Sequence, residues 1–275
     1  MANVISKDGT SIAYDRTGKG PALVLVDGAF CFRDYGVTPD IVPLLSDHFT
    51  VYSYDRRGRG ESTDTTPYSV DNEIEDLKKI IEVTGEVPFI CGFSSGAQLV
   101  LLAIEKGVRV KGIALFEPPY VINSVNNSAP PKDAANTLEN FVTQGKRGEA
   151  VKYFMTKIMG MPPIFVFLFK QFGKSMWKKN ESVANTLPYD VSIMGDYSVP
   201  KEAASVNVPT LVVGSGKSPQ SIKNAIEEVA NTIPGSQLRL LKGQSHNVSM
   251  KVLAPGLIDF FENNSAQTRT NFARL

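Results

Sequence analysis

Between residues 87 and 96 the chain reads Val87-Pro88-Phe89-Ile90-Cys91-Gly92-Phe93-Ser94-Ser95-Gly96, an apolar run ending in a Gly-x-Ser-x-Gly pattern. No other stretch narrows the possible folds as far. A buried strand that turns at once into a helix leaves no room for side chains beside the turn, so glycines flank it and the serine hydroxyl projects at its apex. The first N–H groups of the following helix have no partner within the helix and can face a negative charge beside that oxygen. Five-residue patterns also arise by chance. Here the flanks give the pattern its meaning: an apolar strand precedes it, and apolar residues at helical spacing follow over 97–104.

The rest of the chain supplies a sheet to carry such a turn. Residues 5–14 alternate around Asp8-Gly9, which predicts two antiparallel edge strands. The continuous apolar run at 22–26 reads as a strand covered on both faces, and 49–54, 110–116 and 208–214 read as further strands, with a last strand at about 237–241. Helices are expected near 39–46, 69–83, 219–233 and 248–262. Strands alternating with helices in this way predict an α/β fold with a mostly parallel open sheet and helices on both faces. The rhythm breaks after Glu117-Pro118-Pro119, where helical patterns near 133–144 and 148–159 and an apolar run at 163–169 appear without a sheet strand. We therefore place a helical cap over 120–200, inserted in a core made of 1–119 and 201–263, with a loose polar tail at 264–275. Such insertions sit at the loops that form the binding crevice. The run at 163–169 is read as the cap's own core rather than as a lid lying on a membrane, and pocket lining is compatible with that reading.

With 29 basic and 28 acidic residues, the net charge of +1 gives no electrostatic reason to expect nucleic acid or an anionic membrane as partner. A small, largely uncharged substrate is expected, and a homo-oligomer stays open. The first residues form no leader pattern and no stretch is apolar enough to span a bilayer, so a cytoplasmic location is the expectation. The two cysteines, Cys31 and Cys91, form neither a disulfide framework nor a metal site, and packing explains both. No His/Cys/carboxylate spacing suits a metal, and no cofactor is called for.

Serine attacks a carbonyl only when a base takes its proton. His246, in Gly243-Gln244-Ser245-His246 after the last strand, is the candidate; His48, on the amino-terminal side of the sheet, is read as a surface turn residue. Taken together, Leu25-Val26-Asp27-Gly28, the turn at 55–62, the Ser94 turn and the His246 loop resemble the α/β-hydrolase family over most of the chain, to about residue 263. The resemblance implies an α/β-hydrolase fold with a cap, Ser94 as nucleophile, His246 as base, and an oxyanion hole from the backbone N–H groups of Ala29 and Ser95. Where the family commonly has histidine, this chain has Asp27, so the hole is expected to survive with its loop anchored differently. Arg56, Arg57 and Arg59 are read as salt-bridging residues of a glycine-shaped turn rather than as an anion site.

The third member of a triad is missing from its usual place. In most of the family it follows the strand at 210–213, but here that loop reads Gly214-Ser215-Gly216-Lys217-Ser218-Pro219. Three readings stay open. In one, Glu117, one strand earlier, serves as the acid, as in haloalkane dehalogenases of similar fold. In another, Ser94 and His246 work weakly without an acid. In the third, the protein binds a small molecule and does not catalyse. The first gives an expected ester, lactone or related acyl hydrolase working through an acyl-serine, with C–C bond hydrolysis or cofactor-free perhydrolysis as alternatives on the same residues.

Overall fold

The computed structural model describes residues 1–120 and 130–272, so positions 121–129 of the expected cap and 273–275 of the expected tail lie outside it. Eight strands form one sheet: β1 (Ala2–Ile5), β2 (Ser11–Thr17), β3 (Ala22–Val26), β4 (Thr50–Tyr54), β5 (Phe89–Phe93), β6 (Gly112–Phe116), β7 (Thr210–Ser215) and β8 (Gln237–Leu241). They lie in the order β1-β2-β4-β3-β5-β6-β7-β8. The first two pairings are antiparallel and all others parallel. β3, β4, β5, β6 and β7 are buried along their whole length, which is why apolar residues dominate them.

Alternate strand residues feed two apolar layers. Val24, Val26, Ile90, Ile113, Leu115 and Val212 face the helices α2 (Val70–Thr84), α3 (Ser95–Glu105) and α9 (Gln220–Thr232). Leu23, Leu25, Cys91, Ala114 and Val213 face α1 (Thr38–Leu45) and α10 (Met250–Phe272). α10 runs past residue 262 to Phe272, so most of the expected loose tail continues the last helix. From β3 the chain moves to β4 on one side, whereas from β5 it moves to β6 on the other. The loops leaving the carboxyl ends of β3 and β5 therefore part, and a crevice opens between them.

The helical insert between β6 and β7 comprises α4 (Ala134–Thr143), α5 (Arg147–Tyr153) running on as a π-helical turn (Phe154–Ile158), α6 (Pro163–Phe172), α7 (Lys174–Ser182) and α8 (Leu187–Met194). It has its own apolar centre, including Leu138, Val151, Phe154, Val166, Trp177 and Leu187, into which Phe30 of the β3 loop also inserts. The Phe30 ring meets Phe154 edge-on at 5.3 Å between centroids. The apolar run at 163–169 does not form that centre as expected. Of its hydrophobic side chains only Val166 is buried and Phe169 half-buried, while Ile164, Phe165, Phe167 and Leu168 are exposed. A short helix lying on a surface buries only the residues of one face, and this one is apolar on both.

Insert and sheet are joined through Asp190 of α8, which is fully buried. Its carboxylate takes Arg56 Nη1 at 2.8 Å, Arg59 Nη2 at 2.7 Å and the Ser95 hydroxyl at 2.7 Å. Arg56 also reaches Glu73 at 2.5 Å, and Arg57 pairs with Asp76 and Asp8. The arginine turn is thus a set of ion pairs, as read from its sequence. Burial opposes the charge on Asp190, but the Arg59 and Arg56 charges and the hydrogen bonds to them and Ser95 hold its carboxyl below the ordinary aspartate value. Removing one partner of a buried pair strands the other charges at a cost of about 3–5 kcal/mol. Urea denaturation of Asp190→Ala is expected to show a loss of that size, whereas Glu149→Ala, at an exposed 3.6 Å pair with Lys152, should stay within about 0.5 kcal/mol of wild type. Equal, small losses in both variants would show that Asp190 does not hold the insert.

Candidate active site

β5 runs directly into Ser94, whose backbone lies at φ 51°, ψ −122°, a region that residues other than glycine rarely occupy. The neighbouring glycines are dictated by contact. A Cβ on Gly96 would stand 2.2 Å from the Val26 carbonyl oxygen, and one on Gly92 would stand 2.6 Å from the Ala97 Cα. The serine N–H donates to the Phe116 carbonyl at 2.8 Å, pinning the turn to the end of β6. α3 starts at Ser95, which places that residue's N–H among the first of the helix.

The loop after β3 approaches the same point. A Cβ on Gly28 would lie 3.0 Å from the Ser94 Cβ, so the backbone from Gly28 to Ala29 runs directly beside the serine. Its anchorage differs from a histidine's, as expected. Arg59 Nη1 donates to the carbonyl oxygens of Gly28 at 2.6 Å and Cys31 at 3.2 Å, and Arg56 Nη1 to that of Asp27 at 3.2 Å. The Asp27 carboxyl is buried and accepts the Thr38 hydroxyl at 2.8 Å, while its Oδ1 finds no donor among the described residues. Burial pushes Asp27 up to about 6, against the Thr38 hydrogen bond and the Arg59 and Arg56 charges. Burial likewise pushes the Cys31 thiol up to about 12, consistent with a packing role.

His246 and Glu117 meet. The imidazole Nδ1 lies 2.5 Å from Glu117 Oε2, with the histidine side chain 43 % exposed and the glutamate 1 %. Glu117 Oε1 accepts the Ser215 N–H at 2.8 Å and the Ser218 hydroxyl at 2.7 Å. Burial opposes its charge, but the hydrogen bonds from His246 and Ser218, the His246 charge and the Ser215 N–H outweigh it and hold the carboxyl below the ordinary glutamate value. An ionised carboxylate only accepts, so Nδ1 carries the proton and a neutral ring offers Nε2 as a base. The ring centroid lies 6.2 Å from that of Phe116, the residue whose carbonyl holds the Ser94 N–H. Lys217 is exposed, with its N–H on the Gln244 carbonyl at 2.8 Å. His48 is an exposed partner of Glu262 at 2.8 Å, far along the chain from these groups.

Ser215, Ser218 and Asp190 went unread in the sequence. The two serines lay in view in the loop that lacks the acid, and a loop rich in hydroxyl and N–H donors is what a buried carboxylate from the next strand needs. For Asp190 no local pattern gave a signal.

Residues 23–252 match the family profile described as the alpha/beta hydrolase family. The chain belongs to that family. An alpha/beta hydrolase from Sphaerobacter thermophilus is similar to it at 44 % identity and a TM-score of 0.89, over 94 % of this chain and 100 % of the other. Two more distant structures share the fold: a thermophilic esterase from Thermogutta terrifontis, at 19 % identity, TM-score 0.71 and 96 % and 98 % coverage, and an enol-lactonase from Burkholderia xenovorans, at 20 %, 0.68 and 95 % and 100 %. The hydrolase fold thus has its mostly parallel eight-stranded sheet and a helical insert between β6 and β7.

Asp27 carries a pH prediction. Its folded value of about 6 lies above the ordinary 3.8, so the folded hydrolase binds more protons than the unfolded chain between those values. Stability from this group is fully present below about pH 4 and is lost as pH rises through about 6. Asp27→Asn removes the penalty, and unfolding free energies are expected to move in favour of the variant by about 2–3 kcal/mol between pH 4 and 7. Parallel wild-type and variant profiles across that range would contradict the assignment.

Proposed function

We propose that this alpha/beta hydrolase cleaves an ester, lactone or related acyl bond of a small, largely uncharged substrate through an acyl-serine intermediate. The observation that carries the reading is the 2.5 Å contact between His246 Nδ1 and a buried Glu117 that Ser215 and Ser218 hold in place. A carboxylate so held fixes the tautomer in which His246 Nε2 accepts the Ser94 proton, and it stabilises the imidazolium that results. Ser94 Oγ then attacks the carbonyl carbon. The oxygen takes the negative charge, and the N–H groups of Ala29 and Ser95 receive it; donors of this kind contribute about 3–4 kcal/mol each when removed singly. Imidazolium returns the proton to the departing alkoxide, and water repeats the cycle to free the acid and Ser94.

The same contact weighs against a site that only binds. A ligand pocket has no use for a serine at φ 51° or for a buried carboxylate ordering an imidazole. It also weighs against catalysis without an acid.

Incubation with a fluorophosphonate followed by peptide mass mapping tests this directly. The adduct is expected on Ser94 in wild type and absent in Ser94→Ala, and Glu117→Gln should lower both labelling rate and turnover of p-nitrophenyl butyrate by about 10²–10⁴-fold. Lys217→Ala should stay within about twofold, because that side chain points to solvent. Wild type that gives no adduct at Ser94, or Glu117→Gln with full turnover, would overturn the assignment of the nucleophile or of the acid respectively.

A further inference from the structure

The outer surface of α6 is unlike the rest of the insert. Ile164 is 58 % exposed, Phe165 57 %, Phe167 55 %, Leu168 39 % and Phe172 85 %, while the helix rests on Val166 and Phe169. At 100° per residue, these exposed side chains cover one continuous arc of roughly 160°. Met159 just before the helix and Met176 on α7 are exposed as well. A helix apolar on the side that faces water marks a docking surface.

Charge identifies what docks there. Residues 150–180 contain six lysines, Lys152, Lys157, Lys170, Lys174, Lys178 and Lys179, and no aspartate or glutamate. The net charge of +1 for the whole chain therefore hides a strongly basic segment around α6, balanced by acidic residues elsewhere. Two carboxylates bracket the segment, Glu149, which offsets Lys152 at 3.6 Å, and Glu181, which keeps its charge while accepting the Trp177 indole N–H at 2.7 Å; Lys170 and Lys179 lie over the rings of Trp177 and Tyr35, and Lys157, Lys174 and Lys178 stay exposed. A second copy of the chain docking through this face by a twofold axis would set lysines against lysines. A sheet of anionic headgroups above an apolar interior complements both properties at once.

We propose that α6 is an interfacial helix that seats the insert on an anionic phospholipid bilayer, with Ile164, Phe165, Phe167, Leu168 and Phe172 entering the acyl boundary and the exposed Lys174 and Lys178 at headgroup level. Ten residues of helix extend roughly 15 Å, enough to lie in the interface and too short to cross a bilayer. Among the described residues no helix is long and apolar enough to cross a membrane. Contact is therefore reversible and salt-sensitive, and the balanced overall charge that argued against a membrane partner is an average over a polar distribution. Docking through this face requires nothing of the Ser94 chemistry.

Flotation of the full chain with unilamellar vesicles tests the proposal. Vesicles of equal parts phosphatidylglycerol and phosphatidylcholine are expected to bind it at about 0.05 M salt, pure phosphatidylcholine vesicles at least about tenfold more weakly, and about 0.5 M salt should release it. Phe167→Glu and Phe172→Glu, both at exposed positions, should each lower partition about tenfold or more, as should the pair Lys174→Glu with Lys178→Glu. Turnover of a soluble ester should be unchanged in all of them. Ser94→Ala should bind vesicles as wild type does, so that a failed hydrolase assignment and a failed membrane assignment give different results. No preference for the anionic vesicles, or partition untouched by Phe172→Glu, overturns the proposal. So does a dimer in light scattering that Phe172→Glu dissociates without any vesicle binding, which would make the face a contact between copies.

Discussion

The carboxylate of Glu117 is the group on which the carboxyl-terminal edge of the sheet depends. It ends β6, and it takes a hydrogen bond from the last residue of β7, one from the loop that follows, and the imidazole presented after β8. An ionised carboxylate out of water is tolerated only when its lone pairs are met, and here three donors meet it. Ser215 works twice, since its hydroxyl also donates to the Ser245 carbonyl at 2.8 Å, beside the histidine. Three loops from three strands thus share one charge.

That arrangement puts a buried carboxylate beside the histidine from a strand next to the loop where the family usually keeps one. β6 and β7 are hydrogen-bonded neighbours, with Phe116 opposite Val213, so their carboxyl ends lie about 4.8 Å apart. A carboxylate on β6 starts one strand spacing from that loop, and the longer side chain of glutamate recovers only part of the distance. In that loop the Ser215 N–H and Ser218 hydroxyl are turned towards the carboxylate and Lys217 is turned out. Glu117 itself sits at φ 43°, a backbone conformation that an ordinary side chain avoids unless its surroundings impose it. A second buried charge plays the matching part on the other side of Ser94. Asp190 holds Arg59 on the Gly28 carbonyl and also holds the Ser95 hydroxyl, so the loops after β3 and β5 are both tied to the insert.

The sheet and the Ser94 turn were legible because their causes are local. Apolar residues dominate strands buried on both faces, and Gly92 and Gly96 are forced by backbone atoms closer than 3 Å. The place of His246 on the loop after the last strand was legible as well. The contact between Glu117 and His246 was not legible, because it depends on which loops lie beside β6, a fact of strand register that no run of residues contains. Asp190 lies 95 residues from its hydrogen-bond partner Ser95 and was invisible for the same reason. For α6 the composition was read correctly as apolar but the direction was not: periodicity says that a helix has faces, and with apolar residues on all of them it cannot say which one the insert covers.

The proposed chemistry turns on the proton between His246 and Glu117, and the chain is well suited to observing it because it has only two histidines. In ¹⁵N-histidine-labelled protein the account predicts a protected, strongly downfield Nδ1–H resonance from His246 that disappears in Glu117→Gln, while the signals of His48, at the exposed Glu262, are the same in both. A His246 ring that carries its proton on Nε2, or an Nδ1–H signal indifferent to Glu117→Gln, would contradict it.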